Sequence, residues 1–440
     1  MKNTERLELA RWVIATAQKL GADQAAVNVS SSREVDVEFR DRKMDTLKES
    51  KAQSLSLSVY AKDRYSNHRT NDLRKSSLEP FIEEAVGMTK YLGEDKYRTL
   101  PDPKYYEGRQ DIDLNMYDSS FGDISPDERV RIARAIEDSA LTRSDEIISC
   151  TAGYSDGLYE YTKVHSNGFE GEKLRTSFSA GAEVTVADGD GGRPEDWEYV
   201  SVMHKKDFPE LEQLGENAVR RALSKVGQTK LDSGTYDLVL ENRAATRLLY
   251  AIYGPLQGRD LQQKRSFLEG KIGEKIASDK LTVVDDPLLV GGHGSQLFDG
   301  EGIAAKRRTI IDKGVLKSYY IDYYYAQKLG MEPTTGGASN IVIEPGSKSL
   351  EQLIGQVKKG ILVTGFIGGN SNGATGDFSY GIVGQLIDNG QVVKPVNEMN
   401  LSGNLIEIWN KLVEMGNDPY LYSSWRRPSM YFKDVFLSGI

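Results

Sequence analysis

Glycine constrains this chain more than any other residue type. There are 43 glycines in 440 residues, and most lie in the second half. Glycine weakens helix and strand interiors, yet it permits positive φ and close backbone approach. Two runs are dense in it, GGHGSQLFDGEG at 291–302 and GFIGGNSNGATGDFSYGIVG at 365–384. From about residue 234 onward the chain therefore reads as short strands and loops with few helices.

The first half is patterned differently. Residues 4–20 place Leu7, Ala10, Trp12, Val13, Ala17 and Leu20 on one broad helical face, and Gly21 follows as a stop. Period-two alternation then takes over in VDVEFR at 35–40 and SLSLSVY at 54–60, with Leu55, Leu57 and Val59 on one side. A second helix is expected over 77–92, with Pro80 in its first turn. Residues 94–124 show little periodicity and read as a connector. Ser125-Pro126-Asp127-Glu128 reads as a capping box that opens a helix. Strands follow near 147–152, 158–164, 174–187 and 197–204, then a helix near 209–225. DGDGGRPEDWE at 188–198 reads as a hairpin loop, because a calcium-loop register would put Arg193 at the turn glycine and Tyr199 at the bidentate glutamate. TYDLVLEN at 235–242 reads as a strand leading to a helix capped by Asn242, and YYIDYYY at 319–325 as a half-buried packing wall. The expected fold class is α+β. It comprises an N-terminal α+β domain (1–93), the connector (94–124), a middle β-rich domain with helices (125–230) and a C-terminal glycine-rich, mainly-β domain (231–440).

Composition removes several function classes. Formal net charge is -9 and no long Lys/Arg cluster stands out, which argues against nucleic acid as the main partner. Arg426-Arg427 is read as a solvated turn. No run approaches the roughly 18 apolar residues that span a bilayer, so no membrane role is expected. Glu8, Arg11 and Lys19 interrupt the apolar residues of the N-terminus, so no signal peptide is read there. The single cysteine, Cys150, lies in the strand-like IISC and reads as a buried thiol. These features together predict a cytoplasmic protein.

The chemistry-bearing residues are sparse. LLYAIYGPLQGRD at 248–260 reads as a short apolar helix that Gly254-Pro255 ends, since Pro255 removes the bond to the Ala251 carbonyl. Its position could suit a metal site, yet it holds no His, Cys or Glu. The four histidines, His68, His165, His204 and His293, have no pair at metal-binding helical spacing. There is no G-x-S-x-G elbow and no phosphate-binding loop. Around the glycine runs cluster Asp285, Asp286, His293, Asp299, Glu301 and Asp377. They can cap turns in a loop-rich β domain. Alternatively, the glycine-rich backbone lines a groove for an extended peptide. In a further alternative, Asp286, His293, Asp299 or Glu301 holds a metal in a peptidase with a non-standard site.

Six segments in order carry a family resemblance: VEFRDRKMDTLKESKAQSLSLSVYA (37–61), KVHSNGFEG (163–171), LEGKIGEKIASDKLTVVDDP (268–287), FDGEGIAAKRRTIIDKGVLKSYYIDYYYAQKLG (298–330), GILVTGFIGGNSNGATGDFSYGIVGQLIDNG (360–390) and RPSMYF (427–432). The chain resembles the TldD/PmbA family, also described as candidate modulators of DNA gyrase. The resemblance implies paired homologous subunits. The TldD-type subunit is a metallopeptidase with an H-E-x-x-x-H helix and a cysteine ligand near the C-terminus. In that register Tyr250 stands at the first His, Ala251 at the Glu and Pro255 at the second His. GNDPYLYSSWRRPSM (416–430) has no cysteine. The resemblance thus implies a TldE/PmbA-type subunit with no catalytic residues and no metal of its own. Zinc is expected in a TldD-type partner, and the substrates are peptides. A self-sufficient homodimeric peptide-binding or scaffold protein is the alternative of a different class.

Overall fold

The structure, a computed structural model, describes residues 3–189 and 191–440. Asp190, in the loop expected at 188–198, lies outside the described residues. The first half comprises α1 (Asn3–Lys19), β1 (Gln24–Arg40), β2 (Lys43–Ala61), β3 (Arg64–Thr70), α2 (Lys75–Thr89), α3 (Pro126–Leu141), β4 (Ile147–His165), β5 (Glu170–Val186), β6 (Glu195–Val202) and α4 (Leu211–Leu223). The six strands form one antiparallel sheet in the order β3-β2-β1-β4-β5-β6. β1 pairs with β4 from Ala26↔His165 to Arg40↔Thr151, so the sheet continues across the 94–124 segment.

One face of this sheet carries all four helices. Successive strand residues alternate faces, and Val27, Val29, Val35, Val37 and Phe39 at odd positions of β1 are buried. Val27 and Val29 pack with Val13 of α1 and Ile82 of α2 at one end. Val35, Val37 and Phe39 pack with Ile132 and Ile136 of α3 and Ala218 of α4 at the other. Ser125 caps α3 by accepting from the Glu128 amide at 3.1 Å, with Pro126 in the first turn. The Glu128 carboxylate bonds Lys205, so the expected reciprocal box is half made. Two further expectations are corrected. The strands expected at 147–152 and 158–164 are one strand, β4, because β1 and β5 pair with it on both sides past Gly153 and Gly157. Pro80 lies inside α2, beyond its first turn, because the helix starts at Lys75.

The second half comprises β7 (Gly234–Leu240), α5 (Thr246–Tyr253), α6 (Gly258–Gln262), β8 (Val283–Asp285), β9 (Arg308–Asp312), β10 (Val315–Leu316), α7 (Tyr323–Leu329), β11 (Ile341–Ile343), α8 (Leu350–Ile354), β12 (Lys359–Ser371), β13 (Asp377–Asp388), β14 (Gln391–Asn404), α9 (Leu405–Asn410), β15 (Leu412–Met415), β16 (Trp425–Arg426) and β17 (Met430–Ser438). A sheet in the order β14-β13-β12-β7-β17-β15 closes into a barrel where β14 meets β17, at Asn400↔Ser438 and Leu401↔Leu437. Gly384 permits close packing of β13 on β12, since a Cβ there would sit 2.0 Å from the Leu362 carbonyl oxygen. A smaller sheet has the order β10-β9-β8-β11-β16. Leu238, Leu248, Ile252, Ile310, Tyr320, Ile361 and Trp409 belong to the main core of this half.

Asn242 does not cap α5. Its amide donates to the Asp418 carbonyl at 2.8 Å, and turns at 242–245 separate it from the helix. In the tyrosine wall Tyr319 and Tyr320 are buried, and Tyr324 receives the Arg98 guanidinium 3.5 Å from its ring centroid. Cys150 is buried on β4, and desolvation pushes its thiol up to about 12. Among the described residues no helix is long and apolar enough to cross a membrane.

Candidate functional site

The site is built around α5. β7 forms part of the barrel wall, the chain turns at 242–245, and α5 follows. Leu248, Leu249, Ala251 and Ile252 face the core. Gly254–Leu256 tighten into a 3-10 turn with Pro255 in its first positions, as the missing proline amide requires. Tyr250 points the other way and is 53% exposed. Its ring stacks on Trp425 with centroids 4.4 Å apart and planes 22° apart. Tyr253 meets the same indole edge-on at 5.5 Å, and its hydroxyl accepts from the Ala338 amide at 2.9 Å.

Tyr250 opens onto a cleft of about 710 Å³ between α5, β6 and the part of β12 beyond Val363. β7 pairs with β12 only over Gly360–Val363, so Thr364 to Ile367 reach past the end of β7 and line the cleft. Trp197, Phe366 and Tyr420 supply aromatic wall, and five cationic side chains also line it. Three of those are matched. Arg221 forks onto Glu241 at 2.7 and 2.8 Å, Arg243 bonds Glu198 at 2.6 Å, and Lys225 pairs with Asp196 at 3.1 Å. Burial works against the Asp196 charge, but Arg221 and Lys225 outweigh it and hold the carboxyl below its usual value. Burial raises Glu198 despite Arg243. Arg247 is exposed and donates to the Gly369 carbonyl at 2.7 Å.

Arg427 is the exception. It is 7% exposed, not the solvated turn residue expected from the sequence. Arg427 follows β16 and lines the cleft together with Tyr250. Burial lowers the Arg427 guanidinium to about 10.

The residues singled out in the sequence do not form one site. Ala251, within α5, and Pro255, in the turn after it, are buried, so of the three positions only Tyr250 faces the cleft. Asp286 meets Arg307 at 3.5 Å and accepts from the Leu288 amide. Its neighbour Asp285 is buried on Ser339 and Arg308, and desolvation raises it. His293 bonds the Ser201 carbonyl at 2.6 Å and lines a separate cavity of about 590 Å³; burial lowers its pKa. Asp377 is exposed and accepts from Asn404 at 3.1 Å.

Only Asp299 and Glu301 come together, at a seam between the first sheet and the second half. Asp299 accepts from the Glu301 and Ile303 amides at 2.8 and 2.9 Å, and Glu301 accepts from the Tyr323 amide at 2.7 Å. Lys163 on β4 donates to the Gly300 carbonyl. Burial, with the charges of Asp299 and Asp322, pushes Glu301 up to about 8. The KVHSNGFEG and FDGEG segments pack together here, with the Phe169 and Phe298 rings 5.1 Å apart. Gly171 makes room, as a Cβ there would meet Phe298 at 2.6 Å. Among the described residues no three His, Cys, Asp or Glu side chains are grouped to hold a metal ion. A phenol, a methyl group and a proline ring are no donor set for zinc either. Sequence reading missed Arg243, Trp197 and Trp425 and misplaced Arg427. No local pattern in the sequence marks Arg427 as buried.

The architecture has close parallels. The crystal structure of a candidate modulator of DNA gyrase from Bacteroides thetaiotaomicron superposes with a TM-score of 0.97, at 45% identity over 100% of both chains. TldE from Thermococcus kodakarensis shares the fold, with a TM-score of 0.87 at 20% identity over 98% of this chain and 100% of its own. The fold is α+β and is shared with both of these structures. Residues 119–226 match the PmbA/TldA metallopeptidase central domain, and 233–439 match the PmbA/TldA metallopeptidase C-terminal domain. Metalloprotease PmbA of Escherichia coli O157:H7 is 29% identical over 100% of this chain and 99% of its own length. The chain belongs to the PmbA/TldD family.

Proposed function

We propose that this chain is the non-catalytic subunit of a two-subunit peptidase. It holds unfolded peptide, while a homologous TldD-type subunit supplies zinc and the general acid/base. The observation that carries this reading is the Tyr250–Trp425 stack. It joins α5 to the 416–430 segment, the two places where the resemblance puts the metal ligands of a catalytic subunit. A phenol against an indole offers no donor pair to activate water, which needs three protein ligands and a base. The aromatic cleft and the β12 segment beyond Val363 suit an extended peptide held partly by backbone contacts.

The test is co-expression with a homologue that carries H-E-x-x-x-H, followed by size exclusion, metal analysis and peptidase assay. The expected outcome is a mixed complex with zinc bound to the homologue and activity that needs both chains. Stoichiometric zinc on this chain alone would overturn the proposal. So would failure to associate, together with unchanged activity when this chain is added.

A further inference from the structure

Arg427 is a cation with no anion. The residue is more than nine-tenths buried. Nη1 donates to the Trp425 carbonyl at 2.6 Å, and Nε is buried without a partner. Among the described residues no carboxylate lies within ion-pair distance of it, although Arg221, Arg243 and Lys225 in the same cleft each have one. The Tyr420 ring, 4.8 Å from the guanidinium carbon, offers partial compensation. Burying an unpaired charge is costly, and buried charges are normally paired. Arg427 nevertheless lines the open cleft beside Tyr250.

We propose that Arg427 captures a carboxylate of the bound peptide, with the residue next to that carboxylate seated against Tyr250, Phe366 and Trp197. The guanidinium fork matches a carboxylate in two-bond geometry, which a lysine would not reproduce. The carboxylate comes either from the peptide's C-terminus or from an Asp or Glu side chain. This inference rests on the peptide-holding part of the proposed function and is independent of the partner subunit.

Isothermal titration of the purified full chain tests it, with three probes: acetyl-Ala-Ala-Phe acid, acetyl-Ala-Ala-Phe amide and acetyl-Ala-Asp-Phe amide. The expected result is that at least one carboxylate-bearing probe binds roughly tenfold or more tightly than the uncharged amide. Preference for the first identifies a terminal carboxylate, and preference for the third a side chain. Arg427→Met should abolish the preference, and Arg427→Lys should restore only part of it. Tyr250→Glu, at a side chain more than half exposed, places a competing carboxylate in the same cleft and should also remove the preference. It serves as the test if Arg427→Met does not fold. Equal binding of all three probes, no binding of any, or a preference that survives in either variant overturns the assignment. Because this chain is titrated alone, failure to pair with a zinc-bearing homologue would leave the result unaffected.

Discussion

Replacing Asp156 with Asn should loosen the seat of α3 on the sheet by about 3–5 kcal/mol. Arg129 and Asp156 are 3% and 0% exposed at their side chains. Arg129 bonds the carboxylate through Nε at 2.6 Å and Nη2 at 3.3 Å, and Nη1 donates to the Ile124 carbonyl at 2.6 Å. The Tyr154 hydroxyl donates to the same carboxylate at 2.9 Å. Asn keeps the shape but removes the charge, which leaves a buried guanidinium facing a neutral amide. A chain with several packed bodies does not promise two-state melting, so local opening is the better readout. Native-state hydrogen exchange of the α3 and β4 amides should speed up by about two to three and a half decades, at about 1.4 kcal/mol per decade. The Arg129→Met/Asp156→Leu double variant removes both charges and should recover most of the loss. Exchange in Asp156→Asn within about one decade of the parent would refute the reasoning. A double variant as unstable as the single one would refute it too.

Glu301→Gln tests the seam. Glu301 is pushed up to about 8, so the folded state holds this proton more tightly than the unfolded chain does. The stability it contributes is fully present below the ordinary carboxyl pKa and is lost as pH rises through about 8. Urea titrations between pH 5 and 8 should show a shallower pH dependence in the variant, by up to about 1.4 kcal/mol per pH unit; parallel profiles would count against it. Cys150 should resist a thiol-reactive dye in the folded protein at pH 8 and react on addition of urea, since burial raises its thiol to about 12. Rapid labelling without urea would contradict the buried placement. Gly181→Ala should destabilise the β5–β6 pairing by roughly 1–3 kcal/mol. Its Cβ would sit 2.1 Å from the Glu198 carbonyl oxygen, which backbone must move to relieve. Unchanged thermal stability would show that the strands adjust freely.

Much of the fold was legible because its rules are local. The buried Val27, Val29, Val35, Val37 and Phe39 of β1 and the alternation of Leu55, Leu57 and Val59 follow from the two-residue strand period. Ser125 and Pro126 start α3, and Gly254-Pro255 ends α5, through backbone chemistry within one turn. The site was less legible. His293 and Asp299 looked like neighbours in a glycine-rich run, but one faces a cavity and the other a seam. Arg427 looked like a surface residue because the α5, β6 and β12 residues that line the cleft with it lie far away in sequence.

The sequence by itself determined which residues could be core, where α3 starts and α5 ends, and that α5 carries no His, Cys or Glu. Those facts depend on side-chain chemistry and on spacings of two to four residues. Only the tertiary structure decided that β1 joins β4 into one sheet, that β14 closes on β17, and that Arg427 is buried beside α5 without an anion. Such contacts depend on which distant segments meet once their apolar faces are buried together, and no local period encodes that choice.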